Sequence, residues 1–372
     1  MKIIHCADIH LDSVMQAKLS EQQAKERREE ILHTFERMVE YGADLGVEAI
    51  LISGDLFDTD RIFGATAAAI KNSIAGHPEI CFYYLQGNHD HGCFRKMFAS
   101  LPDNLKLFGG DWTCFPMDRQ LENGRKIVIS GIEIPSNAKV EQENKLSVDE
   151  KDINIVMLHG QIVDSHSQNG TASELIHLPD LKNKGIDYLA LGHIHSYRLE
   201  AFDGRGKYCY PGCLEGRGFD EVGEKGFVVV DIEEKTGAIT TEFVPFAYRT
   251  IYQVEVDVTG CDTNTQMEER IRESLAASRY SPKSLISLEL VGELYPEVEK
   301  NLDYLEKIAS SGFYFLRIKD RTTFRIKEED YMYDASLKGE FVRKVLEDEN
   351  LSEEDKSMII RYGILALRGE EL

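Results

Sequence analysis

The stretch Ile80-Cys81-Phe82-Tyr83-Tyr84-Leu85-Gln86-Gly87-Asn88-His89-Asp90-His91-Gly92, ICFYYLQGNHDHG, decides how the first half of the chain is read. Its first six residues form an apolar, aromatic-rich run of strand length. Behind them stand Asn, two His and Asp. Gly, Asn and Asp are ordinary turn residues, so the segment alone reads first as a loop. Recurrence changes that reading. Lys2–Ile4, Ala49–Ile52, Ile80–Leu85, Ile127–Ile132, Ile153–Leu158 and Tyr188–Leu191 all read as strands. Between the first two, Ile31, Phe35, Met38 and Val39 recur at helical spacing within Glu21 to Gly46, and a second helix fits Thr66 to Ala75.

Strands alternating with helices imply an α/β fold with crossover connections. Lys207–Tyr210, Gly226–Ile232 and Ile239–Val244 follow one another without helices, which predicts a second, antiparallel sheet. Together these favour a layered αββα sandwich over 1–245. After Pro245, Thr250–Val258, Asn264–Ser278, Ser284–Val291, Pro296–Ser310 and Phe313–Lys319 alternate strand and helix. They predict a smaller α/β domain over 246–330. A helical C-terminal tail over 331–372 carries two helical patterns, the second opened by Ser352 with Asp355 three residues on.

Bulk composition narrows the function classes. The chain has 372 residues, 42% of them hydrophobic, and no run approaches the length of a membrane span. Its N-terminus lacks the long apolar segment of a signal peptide. Seven Cys without a CxxC pair read as small buried hydrophobes in a reducing, cytoplasmic setting. A net charge of −22 is unusual for a protein that grips nucleic acid through phosphates. Any phosphate ligand must be recruited by bound cations, a local basic patch or a basic partner.

Five apolar runs are followed at once by metal-ligating residue types: Asp8-Ile9-His10, Gly54-Asp55-Leu56-Phe57-Asp58, Gly87-Asn88-His89-Asp90, His159-Gly160 and Gly192-His193-Ile194-His195. At the carboxyl ends of neighbouring strands such residues converge in space. The donors are carboxylate oxygen and imidazole nitrogen without thiolate, a set suited to Mn²⁺, Fe or Zn²⁺. There are too many for one ion, and two ions sharing a carboxylate accommodate them. On an extended segment Asp8 and His10 would share one face, as would His193 and His195.

This order of motifs resembles the calcineurin-like metallophosphoesterases. CADIHLDS, GDLFD and YPGCLEGRGFDEVGEKGF look like the SbcD type of DNA repair exonuclease, including its YhaO-like bacterial relatives. The resemblance covers about Met1 to Val244. It implies a metallophosphoesterase sandwich with a capping domain, and a two-metal phosphodiesterase cutting DNA, usually with Mn²⁺. It implies one ion held by Asp8, His10, Asp55 and His195, and a second by Asp55, Asn88, His159 and His193. His89 would face the scissile phosphate, with Asp90 holding its other ring nitrogen. It also implies a coiled-coil ATPase partner of the SbcC kind and homodimer formation. A metallophosphoesterase for a small phosphoester or nucleotide is the competing reading. Asp58 stands where many archaeal and eukaryotic relatives carry His, which leaves its role open.

His5, His33, His77, His166 and His177 have no partner spacing and read as structural or exposed. His91 is unassigned. Arg217 reads equally as a phosphate contact or an exposed loop residue. Arg317, Lys319 and Arg321 share one strand face and offer a short basic ribbon, or simply a solvated face. In the tail, Phe341, Val345, Leu346, Met358, Ile359 and Leu365 lie near helical spacing, as for docking on a partner or on the chain itself.

Overall fold

The structure of the protein, a computed structural model, describes residues 1–15, 19–58, 62–90, 100–134, 145–164, 175–295, 298–325 and 331–368. The chain divides into two units, Met1–Thr250 and Ile251–Leu372.

The first unit begins β1 (Lys2–Cys6), α1 (Glu21–Leu45), β2 (Ala49–Ser53), α2 (Gly64–Gly76), β3 (Cys81–Leu85) and β4 (Leu105–Leu107). It continues with β5 (Thr113–Gln120), β6 (Lys126–Gly131), β7 (Ile153–His159), β8 (Gln161–Val163), β9 (Leu175–His177) and α3 (Leu178–Leu181). It closes with β10 (Tyr188–Gly192), β11 (Arg198–Ala201), β12 (Lys207–Tyr210), β13 (Gly226–Ile232) and β14 (Ile239–Pro245). Two six-stranded sheets result, ordered β14-β13-β1-β2-β3-β4 and β11-β12-β10-β7-β6-β5.

The strand runs are continuously apolar because both faces are covered. Ile3, Leu51, Tyr83 and Val230 of the first sheet meet Ile129, Ile155, Met157 and Ala190 of the second across a shared core. On its outer face the first sheet packs Ile4, Ile50, Ile52 and Phe82 against Ile31, Phe35 and Met38 of α1 and Ile70 and Ile74 of α2. Each such fully buried side chain contributes about 1.5–3 kcal/mol of transfer free energy. Outside the second sheet, Val156, Leu158, Leu189 and Leu191 are covered by Leu178 and Leu181 of the short α3. The order of layers is therefore αββα, with a thin second helical layer among the described residues. α1 starts on a capping box, in which Ser20 and Gln23 satisfy each other's backbone N–H.

The later strands differ from the expectation of a separate antiparallel sheet. β13 lies antiparallel to β1, pairing Lys2 with Asp231 and His5 with Val228, so it rejoins the first sheet and covers the β1 edge. β12 pairs parallel with β10 in the second sheet. Adjacency in sequence misled because β12 joins the second sheet, while β13 and β14 pair antiparallel with each other in the first.

The second unit has β15 (Ile251–Asp257), α4 (Asn264–Ala277), β16 (Leu285–Val291), β17 (Glu293–Leu294), α5 (Leu302–Ala309), β18 (Phe315–Asp320), β19 (Thr323–Phe324), α6 (Leu337–Leu346) and α7 (Glu353–Arg368). β15, β16 and β18 form a parallel three-stranded sheet. Val254, Val256, Ile286, Leu288 and Leu316 pack on Met267 and Ile271 of α4 and Leu305 of α5. Val342 and Val345 of α6 cluster with Ile360 and Ile364 of α7. On β18 and just beyond it, Arg317 donates to Ser287 Oγ, and Lys319 and Arg321 both bind the buried Glu289 carboxylate. The basic ribbon is thus partly neutralised from within. No helix among the described residues is long and apolar enough to cross a membrane.

Candidate metal centre

The ends of β1, β2, β3, β7 and β10 bring the five motifs into one place. Asp8, His10 and His195 lie with their ligand atoms within 4.8 Å of one another, as do Asp8, Asp55 and His159. Asn88 joins through its side-chain oxygen, 3.0 Å from His159 Nε2. His193 stacks edge-on to His159, ring centroids 5.5 Å apart, and its backbone N–H donates to both Asp8 oxygens at 2.9 and 3.0 Å.

The backbone reaches this arrangement by left-handed turns. Asp8, His10 and Asp55 have φ of 51°, 50° and 51°, and His193 has 102°. Non-glycine residues hold such φ at about 1–3 kcal/mol each, and functional sites are where that strain collects. Asp8 and His10 therefore converge through a turn, and the extended-segment argument for their shared face does not describe them. Gly87 is needed for a different reason: a Cβ there would sit 2.1 Å from Asp55 Oδ1.

Three of the imidazoles are aimed by a partner on Nδ1. His10 Nδ1 faces Asp58 Oδ1 at 2.9 Å, His195 Nδ1 faces Glu221 Oε1 at 2.7 Å, and His159 Nδ1 faces the Ser53 carbonyl at 2.9 Å. With those nitrogens donating, the Nε2 lone pairs of the neutral rings would face a bound ion. The Nε2 atoms of His10 and His195 meet at 3.1 Å, and His159 Nε2 lies 3.3 Å from Asp55 Oδ2. Lone pairs and carboxylate oxygens converging from rings held this way are the donor arrangement of a transition-metal site. The residues present fit divalent ions.

The electrostatics follow from burial. Burial raises Asp8, partly offset by the neighbouring His159 and His195. Burial opposes charge on His159 also, yet Asp55 and Asp8 outweigh it and raise it to about 9. In Asp55 and Asp58, histidine partners overcome burial and hold the carboxyl groups well below the usual range.

His89 stands apart from the donor cluster. It is 47% exposed at its side chain, its Nδ1 is 3.3 Å from Asp58 Oδ1, and its ring lies 5.1 Å from that of His10. The expected His89–Asp90 pair is not what forms. Asp90 is buried and accepts the backbone N–H of Phe57 at 2.8 Å and of Gly87 at 2.7 Å, which ties two ligand loops together. Burial and the Asp55 charge raise Asp90 to about 7. Its oxygens are taken by the backbone, and Asp58 supplies the partner for His89.

Arg217 is neither exposed nor free for phosphate. It is 7% exposed and bonds Glu221, Asp58 and Ser13. Glu221 escaped the sequence reading, although its i+4 spacing from Arg217 on a Gly-rich loop was visible. His5 is buried against Tyr188 OH, His33 faces Glu36, and His77 lies between Glu40 and Glu79. His177 is buried. His91 and His166 lie outside the described residues.

Comparison with known proteins is consistent with this geometry. Residues 1–197 match the calcineurin-like phosphoesterase family. The chain is 28% identical over 289 residues to an uncharacterized metallophosphoesterase, YhaO, of Bacillus subtilis (strain 168), covering 75% of this chain and 68% of that protein. It is 24% identical over 298 residues to the DNA double-strand break repair protein Mre11 of Methanopyrus kandleri, covering 73% and 62%. To the protein of the same description from Saccharolobus solfataricus it is 23% identical over 381 residues, covering 97% and 94%. The chain thus spans about two thirds of the first two relatives and nearly all of the third. More than half of its length lies in the family match, and the donor set of that half converges, so the chain belongs to the calcineurin-like phosphoesterases and is a metallophosphoesterase.

Proposed function

We propose that this chain is a two-metal phosphodiesterase that hydrolyses DNA, a nuclease subunit of the SbcD type acting in DNA repair. The observation that carries the reading is His89, a half-exposed imidazole beside a buried donor cluster and held by Asp58 rather than by that cluster. In this reading Asp8, His10, Asp55 and His195 hold one ion and Asp55, Asn88, His159 and His193 the other. Bound divalent ions, here Mn²⁺, supply Lewis acidity to a phosphoryl oxygen and lower the pKa of a bound water. The chain's own residues do the rest. Asp58 fixes the His89 ring through Nδ1, and Nε2 of His89 offers its proton to the leaving oxygen. The names of the Mre11 relatives support DNA as substrate.

The exposed Met358, Ile359 and Tyr362 on α7 offer an apolar face to a helical partner, and a coiled-coil ATPase subunit is the partner this reading assigns. A second reading, hydrolysis of a small phosphoester, is favoured by the net charge of −22 and by Glu289, which occupies two of the three cations on the basic ribbon.

The deciding experiment incubates the purified chain and Mn²⁺ with end-labelled duplex DNA and, separately, with bis(p-nitrophenyl) phosphate, beside His89→Ala. Mn²⁺-dependent loss of duplex label, reduced about 10²–10⁴-fold in His89→Ala, supports the nuclease. Cleavage of the small ester with intact DNA selects the second reading. No Mn²⁺-dependent cleavage of either overturns both.

A further inference from the structure

Behind the donor cluster, the loop between β12 and β13 carries an unusual density of buried charge: Glu215, Arg217, Glu221 and Lys225 are all at most 7% exposed. Glu215 accepts from Thr34 and Arg27 of α1, and Lys225 Nζ donates to the His195 carbonyl at 2.7 Å. Arg217 lies between these anchors, and its contacts run in two directions. Nη2 and Nε donate to Glu221 Oε1 at 2.8 and 3.2 Å, and its own backbone N–H donates to Glu221 Oε2 at 2.6 Å. Nη1 donates to Asp58 Oδ1 at 3.2 Å and to Ser13 Oγ at 3.3 Å. Glu221 is the carboxylate that aims His195, and Asp58 is the one shared by His10 and His89. One guanidinium therefore spans the two acceptors that orient three histidines of the centre.

We infer that Arg217 is a positioning residue of the phosphodiesterase centre, acting on His195 through Glu221 and on His10 and His89 through Asp58. The inference rests on the metallophosphoesterase reading of this site. Two carboxylates facing a common region repel, and each would swing away from its histidine unless a cation were fixed between them. A guanidinium fork meets both at once with separate N–H groups, whereas a lysine ammonium is a single point donor on a flexible stem. Because Arg217 is buried and its donors are directed at protein acceptors, substrate does not meet it. Its loss acts on turnover and on metal affinity rather than on substrate binding.

The test uses the full chain, with Arg217→Met, Arg217→Lys and Glu221→Gln. Mn²⁺ affinity is measured by calorimetry, and kcat and KM on bis(p-nitrophenyl) phosphate. Arg217→Met is expected to weaken Mn²⁺ binding and lower kcat by about 10–100-fold each, the range seen for outer partners of ligating histidines. KM should stay within about threefold, the pattern of a lost transition-state interaction. Arg217→Lys should fail to restore kcat. Arg217→Met combined with Glu221→Gln should cost little more than either alone, as for residues acting through one network. If Arg217→Met does not fold, Arg217→Lys and Glu221→Gln carry the same comparison. A raised KM at unchanged kcat would make Arg217 a substrate contact and overturn the inference. So would a lower melting temperature with unchanged kcat and Mn²⁺ affinity. If wild type neither binds Mn²⁺ nor cleaves the ester, the functional reading falls first, and the inference with it.

Discussion

At the scale of single residues, two aspartates of similar sequence context separate by what their oxygens meet. Asp58 faces His10, His89 and Arg217, whereas Asp90 is held by the N–H groups of Phe57 and Gly87. Asp58→Asn should lower kcat by about 10–100-fold with little change in melting temperature. Asp90→Asn places an amide N–H against a backbone N–H, which should cost about 1–3 kcal/mol of stability while the folded fraction keeps its kcat. Thermal melts beside kcat on a phosphodiester distinguish the two, and the opposite pattern would return Asp90 to the catalytic role. Remote from the ligands in chemistry, buried His5 is lowered to about 3 by burial, with Nδ1 against Tyr188 OH. Unfolded His5 binds a proton below about pH 6.5 and the folded residue only near pH 3, so the unfolded state binds more protons between them. That contribution to stability is complete above pH 6.5 and is lost as pH falls, on the order of 4 kcal/mol by pH 3. His5→Gln, which cannot protonate there, should flatten denaturant-measured stability across that window; an unchanged slope would show His5 contributes none of it. The convergence of the donor side chains was legible in sequence because each motif sits at a strand end. The Asp58–His89 pairing was not, since which of two carboxylates reaches a ring depends on loop turns that spacing does not encode.

At the scale of elements, apolar runs and helical spacing located β1, β2, β3, α1 and α2 to within a few residues, while the three-residue β4 gave no signal. β5 was missed: its Pro116, its alternating exposed residues and its register shift against β6 give it no continuous apolar signature. The basic ribbon on β18 was legible as three cations on one face. Its partner Glu289 sits on β16, about 30 residues earlier, and nothing local announces it. Lys319 and Arg321 remain 40% and 60% exposed despite that pairing. If DNA uses this face, Lys319→Ala with Arg321→Ala should reduce the magnitude of the logarithmic salt slope of DNA binding by about 1–2. A slope equal to wild type removes β18 from the interface. On α7, Met358→Glu with Tyr362→Glu touches exposed positions, so monomer stability should change by no more than about 0.5 kcal/mol. If a coiled-coil ATPase subunit docks on this face, its capture in co-purification should be lost; retained capture places any such partner on another surface.

At the scale of the whole molecule, the αββα order was readable because burial on both faces leaves a continuous apolar run. Which sheet a late strand joins was not, because that choice is made by edges left open far earlier in the chain. The family match ends at residue 197, yet His195 is aimed by Glu221 and β1 is flanked by β13. A chain ended after residue 200 should therefore aggregate and bind no Mn²⁺, whereas one ended at Thr250 keeps the first unit whole. Solubility and calorimetry of the two truncations check this, and a soluble, Mn²⁺-binding 1–200 fragment would contradict it. The Met1 ammonium bonds the Ile232 carbonyl across 231 positions of sequence. During synthesis β1 can meet β2 early, but its other edge closes late, because β13 at Gly226–Ile232 must leave the ribosome first. Until then an apolar strand with unpaired backbone groups is open to other nascent chains. The metal centre therefore depends on the order in which the chain closes its edges as well as on the residues that line it.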